Sequence, residues 1–129
     1  MLGKNYRMKQ LMGPDGRGVI VAMDHGSIAG AVDGFIDPRD TMAKVLAGKP
    51  DAVLTTRGVL QASWDILDPS VGIFVRISGG FTILGGRFEE TIVSSVEHAV
   101  KMGAQGVAVT VKYGHEREDE FIRQASLIA

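Results

Sequence analysis

Gly18-Val19-Ile20-Val21-Ala22-Met23-Asp24-His25-Gly26 sets five apolar residues directly before two ionisable ones and a glycine. An unbroken apolar run closed by a turn signal reads as a strand covered on both faces. Parallel α/β sheets and barrels carry their chemistry at the carboxyl ends of strands, which is where Asp24 and His25 stand. Neighbouring strand residues point to opposite faces, so at most one of these two faces the interior.

Working outward, the same grammar repeats. Gly13-Pro14-Asp15-Gly16 is a turn, preceded by a short helix or arm over Met1–Met12. After a glycine-bearing loop from His25 to Phe35, Asp37-Pro38-Arg39-Asp40 reads as a helix start, with Asp37 as cap and Pro38 in the first turn. Gly48-Lys49-Pro50 stops that helix, and Asp51–Thr55 is a second strand that exits into Thr56-Arg57-Gly58. A short helix over Val59–Ile66 follows, then a third strand over Val71–Ile77 that exits at Ser78-Gly79-Gly80. The loop runs on through Gly85-Gly86, and apolar positions from Ile92 to Met102 predict an amphipathic helix over Phe88–Met102, capped by Gly103. Gly106–Tyr113 is a fourth strand and His115–Ala129 a closing helix.

Four strand–helix repeats predict a parallel sheet built from right-handed crossovers, in the rhythm of a (β/α)₈ barrel. A whole barrel of eight such units takes about 250 residues. The chain has 129. The expectation is therefore the first four βα units of a TIM barrel, with residues 1–17 an arm and turn and residues 18–129 the units themselves. The chain stops inside a helical pattern, which reads as a fragment. Exposed edges of the first and fourth strands then predict self-association into a homo-oligomer.

Composition narrows the partners. Lys+Arg 14 against Asp+Glu 15 gives a net charge of -1, with no basic stripe for nucleic acid. The absence of cysteine excludes disulfides, thiolate nucleophiles and cysteine zinc sites. His25, His98 and His115 lack zinc-ligand spacing, and carboxylates leave only a magnesium site open. No apolar run reaches the roughly 18 residues of a membrane span, and no secretory signal opens the chain. A soluble, cytoplasmic protein is the expectation.

Each candidate residue has a functional and a plain reading. Asp24 at the mouth of an apolar barrel could move a proton or orient a substrate hydroxyl; alternatively it caps the loop while His25 packs at the rim. Arg57 could fork onto a phosphate or carboxylate, or bridge the mouth in an ion pair with Asp24. Glycines at Ser78-Gly79-Gly80 allow close approach to an anion, or serve a turn. Lys112 in an apolar barrel could be a Schiff-base nucleophile, but an outward, snorkelling lysine is the plainer reading. His98 reads as structural, and His115 with the acids after it as a solvated helix start.

Val21-Ala22-Met23-Asp24-His25-Gly26, Thr56-Arg57-Gly58-Val59-Leu60, Arg76-Ile77-Ser78-Gly79-Gly80 and Val96–Ala104 together resemble the archaeal-type class I fructose-bisphosphate aldolase family. That group includes the aminodideoxyheptulosonate synthases and the thiolase of phosphorylated autoinducer-2. The resemblance covers nearly the whole chain. It implies a lyase of carbohydrate metabolism that joins a lysine to a ketone substrate, usually a phosphorylated sugar, with no metal and no cofactor. It implies that Asp24 is the catalytic aspartate of proton transfer, and that His25, Arg57 and Ser78 bind substrate at the pocket mouth. It places the Schiff-base lysine on a sixth strand, a tyrosine on the fifth, and phosphate-binding loops after the seventh and eighth, all beyond Ala129. The isolated chain is then expected to be inactive. The third strand ends in Ser78-Gly79-Gly80 rather than the lysine-bearing ending of the aldolases proper, as in the synthase and thiolase branches. Two rivals stand beside this reading. One is a complete four-stranded phosphate-binding module, its sheet wrapped on both faces; the other is a catalytically dead assembly protein.

Overall fold

A computed structural model describes residues 2–80 and 89–129. In chain order the elements are α1 (Leu2–Leu11), β1 (Ile20–Met23), α2 (Gly26–Ala29), α3 (Pro38–Ala47), β2 (Ala52–Thr55), α4 (Arg57–Ala62), a 3₁₀ turn (Trp64–Ile66), β3 (Gly72–Arg76), β4 (Ser78–Gly79), β5 (Thr91–Ile92), α5 (Val96–Lys101), β6 (Gly106–Ala108) and α6 (Glu118–Ile128). Local chemistry starts and stops them where the sequence indicates. The Asp37 carboxylate accepts from the backbone N–H of Arg39 and Asp40 with Pro38 following it, and Gly103 sits at φ +85° just past α5.

The main sheet has four parallel strands in the order β1-β2-β3-β6, each next to its predecessor in the chain. A doubly wound sheet reverses strand order at a switch point; a β/α barrel does not. The register sets two rows of side chains on opposite faces. Met23, Thr55, Val75 and Val107 lie in one row, and Ala22, Leu54, Phe74 and Gly106 in the other.

The first face is the helix-covered one. Met42 of α3 packs with Met23 and Val53, while Leu60 of α4 and Ala99 of α5 pack with Ile73, Val75 and Ile77. Among the described residues the opposite face has no such layer. Ile20 stays 45 % exposed, and α1 touches this face only where the strands begin. A side chain at Gly72 would come within 2.5 Å of the Gln10 carbonyl, so only glycine lets α1 rest there. A side chain at Gly106 would likewise collide at 2.5 Å with the Phe74 ring that lies across it. This one-sided covering departs from the two-faced wrapping that a complete binding module would need. The architecture is an α/β fold of parallel strands and helices, with the sequential strand order of part of a β/α barrel.

Two expected elements are corrected. The helix expected over Phe88–Met102 begins only at Val96, with Ser95 as its cap accepting from the His98 N–H. Thr91-Ile92 instead pairs antiparallel with Ser78–Gly79, and its β-branched side chains suit the pleated conformation. Phe88 and the Gly85-Gly86 loop lie outside the described residues. The fourth strand ends at Ala108 rather than Tyr113; beyond it the Thr110 N–H donates to the Ser78 hydroxyl at 3.1 Å instead of joining a ladder. No helix is long and apolar enough to cross a membrane among the described residues.

Candidate active site at the carboxyl ends of the strands

Asp24 is the first residue past β1 and is only 5 % exposed. Alternation turns Met23 toward the helices and Asp24 onto the uncovered face, in the row of Ala22. Its Oδ2 accepts from the guanidinium of Arg76 at 2.6 Å. Oδ1 has no hydrogen-bond partner among the described residues.

Arg76 ends β3 and is held from all sides. Its Nε donates to the Ser78 carbonyl at 3.2 Å, one terminal nitrogen to Asp24, and the other to Glu90 at 2.5 Å and to the Thr110 hydroxyl. The Ser78 hydroxyl donates to the second oxygen of Glu90 at 3.0 Å. Burial works against the Arg76 charge, but the hydrogen bond to Asp24 and the Glu90 carboxylate outweigh it, leaving the guanidinium even harder to deprotonate than usual. Two buried carboxylates thus share one permanent cation.

Beside this network opens a cleft of about 210 Å³, lined chiefly by Ser27, Thr56, Arg57, Arg76, Ser78 and Ser94. Arg57 opens α4 under the Thr56 cap, is exposed, and makes no ion pair among the described residues. A forked cation among hydroxyls, without a carboxylate of its own, suits an anion that fits the fork.

The expected site residues separate accordingly. Arg57 and Ser78 meet at the cleft, and Asp24 stands behind it across Arg76. The suggested Arg57–Asp24 bridge is not formed; Arg76 takes that place, being in the same inward row as Asp24. The Asp24 carboxylate does not cap the loop, although its backbone carbonyl accepts from Ser27. Exposed His25 does not line the cleft: it begins α2 in helical conformation and packs its ring on Phe35 at 4.7 Å between centroids. The Ser78 hydroxyl is engaged on both sides, by Glu90 and by the Thr110 N–H. Lys112 is half-buried. Sequence reasoning gave no role to Arg76, Glu90 or Thr110. Strand parity could have found Arg76, two residues beyond Phe74; no pattern could have found Glu90. No cluster of metal-ligating side chains occurs among the described residues.

Comparison with known proteins shows the family. A model of the DeoC/LacD family aldolases matches residues 18–129. Over 129 residues the chain is 33 % identical to 2-amino-3,7-dideoxy-D-threo-hept-6-ulosonate synthase 1 of Archaeoglobus fulgidus, covering 100 % of this chain and 48 % of that protein. The corresponding synthase of Halobacterium salinarum is 29 % identical, over 98 % of this chain and 47 % of its own length. The 3-hydroxy-5-phosphonooxypentane-2,4-dione thiolase of an Enterobacter species is also 29 % identical, over 93 % of this chain and 40 % of its own. The chain therefore spans about half the length of the curated relatives it matches. Among solved structures, a Schiff-base-forming fructose-1,6-bisphosphate aldolase superposes with a TM-score of 0.78 at 24 % identity, over 97 % of this chain and 51 % of that one. This last likeness is one of fold.

Proposed function

The chain belongs to the DeoC/LacD family of aldolases, and we propose that it forms the N-terminal half of a barrel that makes or breaks a carbon–carbon bond in a phosphorylated keto compound through a Schiff base. The observation that carries this reading is Asp24: a buried carboxylate at a strand exit, one oxygen fixed by Arg76 and the other without a hydrogen-bond partner among the described residues. In this reading a lysine amine outside these residues adds to the substrate carbonyl and expels water. The resulting iminium accepts the electron pair of the breaking carbon–carbon bond. The second oxygen of Asp24 takes the proton of the substrate hydroxyl that becomes the new carbonyl, and returns it in the reverse direction. Arg57 holds the phosphate over the cleft, Ser78 lines the cleft wall, and His25 steadies the β1 exit through Phe35.

Two observations favour the synthase branch over fructose-bisphosphate cleavage. One is the 33 % identity to the archaeal heptulosonate synthase along the whole chain; the other is Ser78-Gly79-Gly80 at the third exit. The reading extends to a homo-oligomeric, cytoplasmic enzyme that needs no metal or cofactor.

Borohydride reduction of the whole protein with a phosphorylated ketone tests it. The expected result is a stable adduct on one lysine, and Asp24→Asn should retain the adduct while turnover falls by about 10²–10⁴. An adduct on Lys112 would move the amine to the exit of β6. Absence of any adduct removes the Schiff base from the reading.

A further inference from the structure

The helix side of the sheet carries an apolar groove that the strand-exit chemistry does not use. The end of α4 with its 3₁₀ turn and the end of α5 frame a cleft of about 510 Å³, whose lining includes Leu60, Gln61, Trp64, Val100, Lys101 and Met102. Leu60 is buried against the sheet, but Trp64 is 65 % and Val100 60 % exposed. Holding an indole and a valine in water costs free energy that a partner surface would recover. We propose that this groove is the interface of a twofold dimer of the chain, with the Trp64 ring of each copy seated over Leu60 and Val100 of the other.

Self-complementarity selects a second copy as the occupant. A twofold contact uses the same patch on both partners, so the patch must carry both a projection and a recess. The exposed indole and the recess over Leu60, Val100 and Met102 belong to one patch. The charges obey the same rule. Asp65 follows Trp64, and Lys101 follows Val100; both are exposed. Lys101 is attracted to Glu97, one turn back on its own helix, but forms no salt bridge among the described residues. Asp65 is held by Arg39 at 2.6 Å and still turns much of its carboxylate to water. A twofold axis through the groove sets the Trp64 end of one copy against the Val100 end of the other, so Asp65 meets Lys101 twice. An aromatic anchor with methionine at the centre and charges at the rim is the usual anatomy of a protein interface. A metabolite pocket needs several convergent polar groups to fix its ligand. Besides the indole N–H, only Gln61 and Lys101 offer polar side chains among the lining residues. The contact also bears on the site. Helix α4 is six residues long and begins at Arg57, so a partner packed on its far end braces the element that presents Arg57 to the cleft.

The dimer gives a surface to the homo-oligomer of the proposed reading and rests on that reading only for its use in the whole enzyme. Trp64 is the single tryptophan of the chain and reports on the contact itself. As the chain is concentrated, its emission should shift to the blue and lose acrylamide quenching, with the midpoint of the monomer–dimer step in sedimentation. Val100→Glu should weaken association about tenfold or more, with circular dichroism unchanged. Lys101→Glu should weaken it by a smaller factor that shrinks in high salt. Association that leaves Trp64 open to quenching would place the contact at the strand edges and overturn the proposal. A monomer at every concentration, or a blue shift that survives Val100→Glu, would overturn it as well. Should Val100→Glu not fold, the quenching and sedimentation midpoints of the unaltered chain decide alone. Absence of a borohydride adduct removes the Schiff base and leaves the dimer; an accessible Trp64 removes the dimer and leaves the Schiff base.

Discussion

Met23 and Asp24 are neighbours in the chain and both are buried, for opposite physical reasons. Met23 faces the helices, against Met42 and Val53, where burial is favourable in itself. Asp24 faces the other way, where burial costs free energy that only pairing with Arg76 recovers. Val75 and Arg76 repeat the contrast on β3. The helix-side row tolerates any apolar set of the right volume. The strand-exit row tolerates its charged partners together or not at all. One strand thus carries an apolar row along its length and a paired carboxylate at its end.

The sharpest way to break this contrast is Arg76→Met. It leaves Asp24 and Glu90 buried without their cation and should cost about 3–5 kcal/mol by urea denaturation. Replacing Asp24, Arg76 and Glu90 together by leucine, methionine and leucine should instead be neutral or stabilising while abolishing the proposed chemistry, because no charge remains to desolvate. A triple variant less stable than Arg76→Met would show that the network supports the fold. On the helix side, Met23→Ala should cost about 2–4 kcal/mol through a cavity, adding to the cost of Arg76→Met when the two are combined; strong non-additivity would show that the two rows are not separable. Away from both rows, Asp37→Ala removes a helix cap and should lower stability by about 1 kcal/mol, with no effect on the exit network.

Acid sets the smallest test. Asp65 is held below its ordinary value of 3.8 by the hydrogen bond from Arg39, and Asp68 by those from Ser70. Both folded values are lowered, so their contribution is complete above 3.8 and is lost as pH falls through the lowered values. Both are surface groups and the loss should be slight. Arg76 is shifted upward, so its charge persists across the ordinary pH range and contributes no transition there. Melting temperature followed below pH 3.8 checks this: Asp65→Asn and Asp68→Asn should each remove a small share of the acid sensitivity.

Much of the fold was legible because its signals are local. Asp37-Pro38 and Gly103 mark helix ends by capping chemistry, and the apolar runs before Asp24 and after Asp51 mark strands by length and composition. Residues 88–95 misled because Ile92 and Val93 fit a helical stripe equally well. What kept Thr91 and Ile92 extended was a partner strand at Ser78–Gly79, which no window around them contains. In the site, Asp24 and Arg57 were legible as polar groups at strand exits, and alternation correctly allowed only one of Asp24 and His25 to face inward.

By itself the sequence determined four strand–helix repeats, their parallel sense, and that Asp24 and Arg57 follow the first two strands, since periodicity and capping act over a few residues. Tertiary structure alone decided that Arg76 rather than Arg57 takes Asp24, and that Glu90 closes the network from a segment read as helix. Those partners lie 52 and 14 residues from the groups they bind. Pairing over such distances depends on strand register and on the cost of leaving a buried charge alone, and neither is written in any short stretch of the chain.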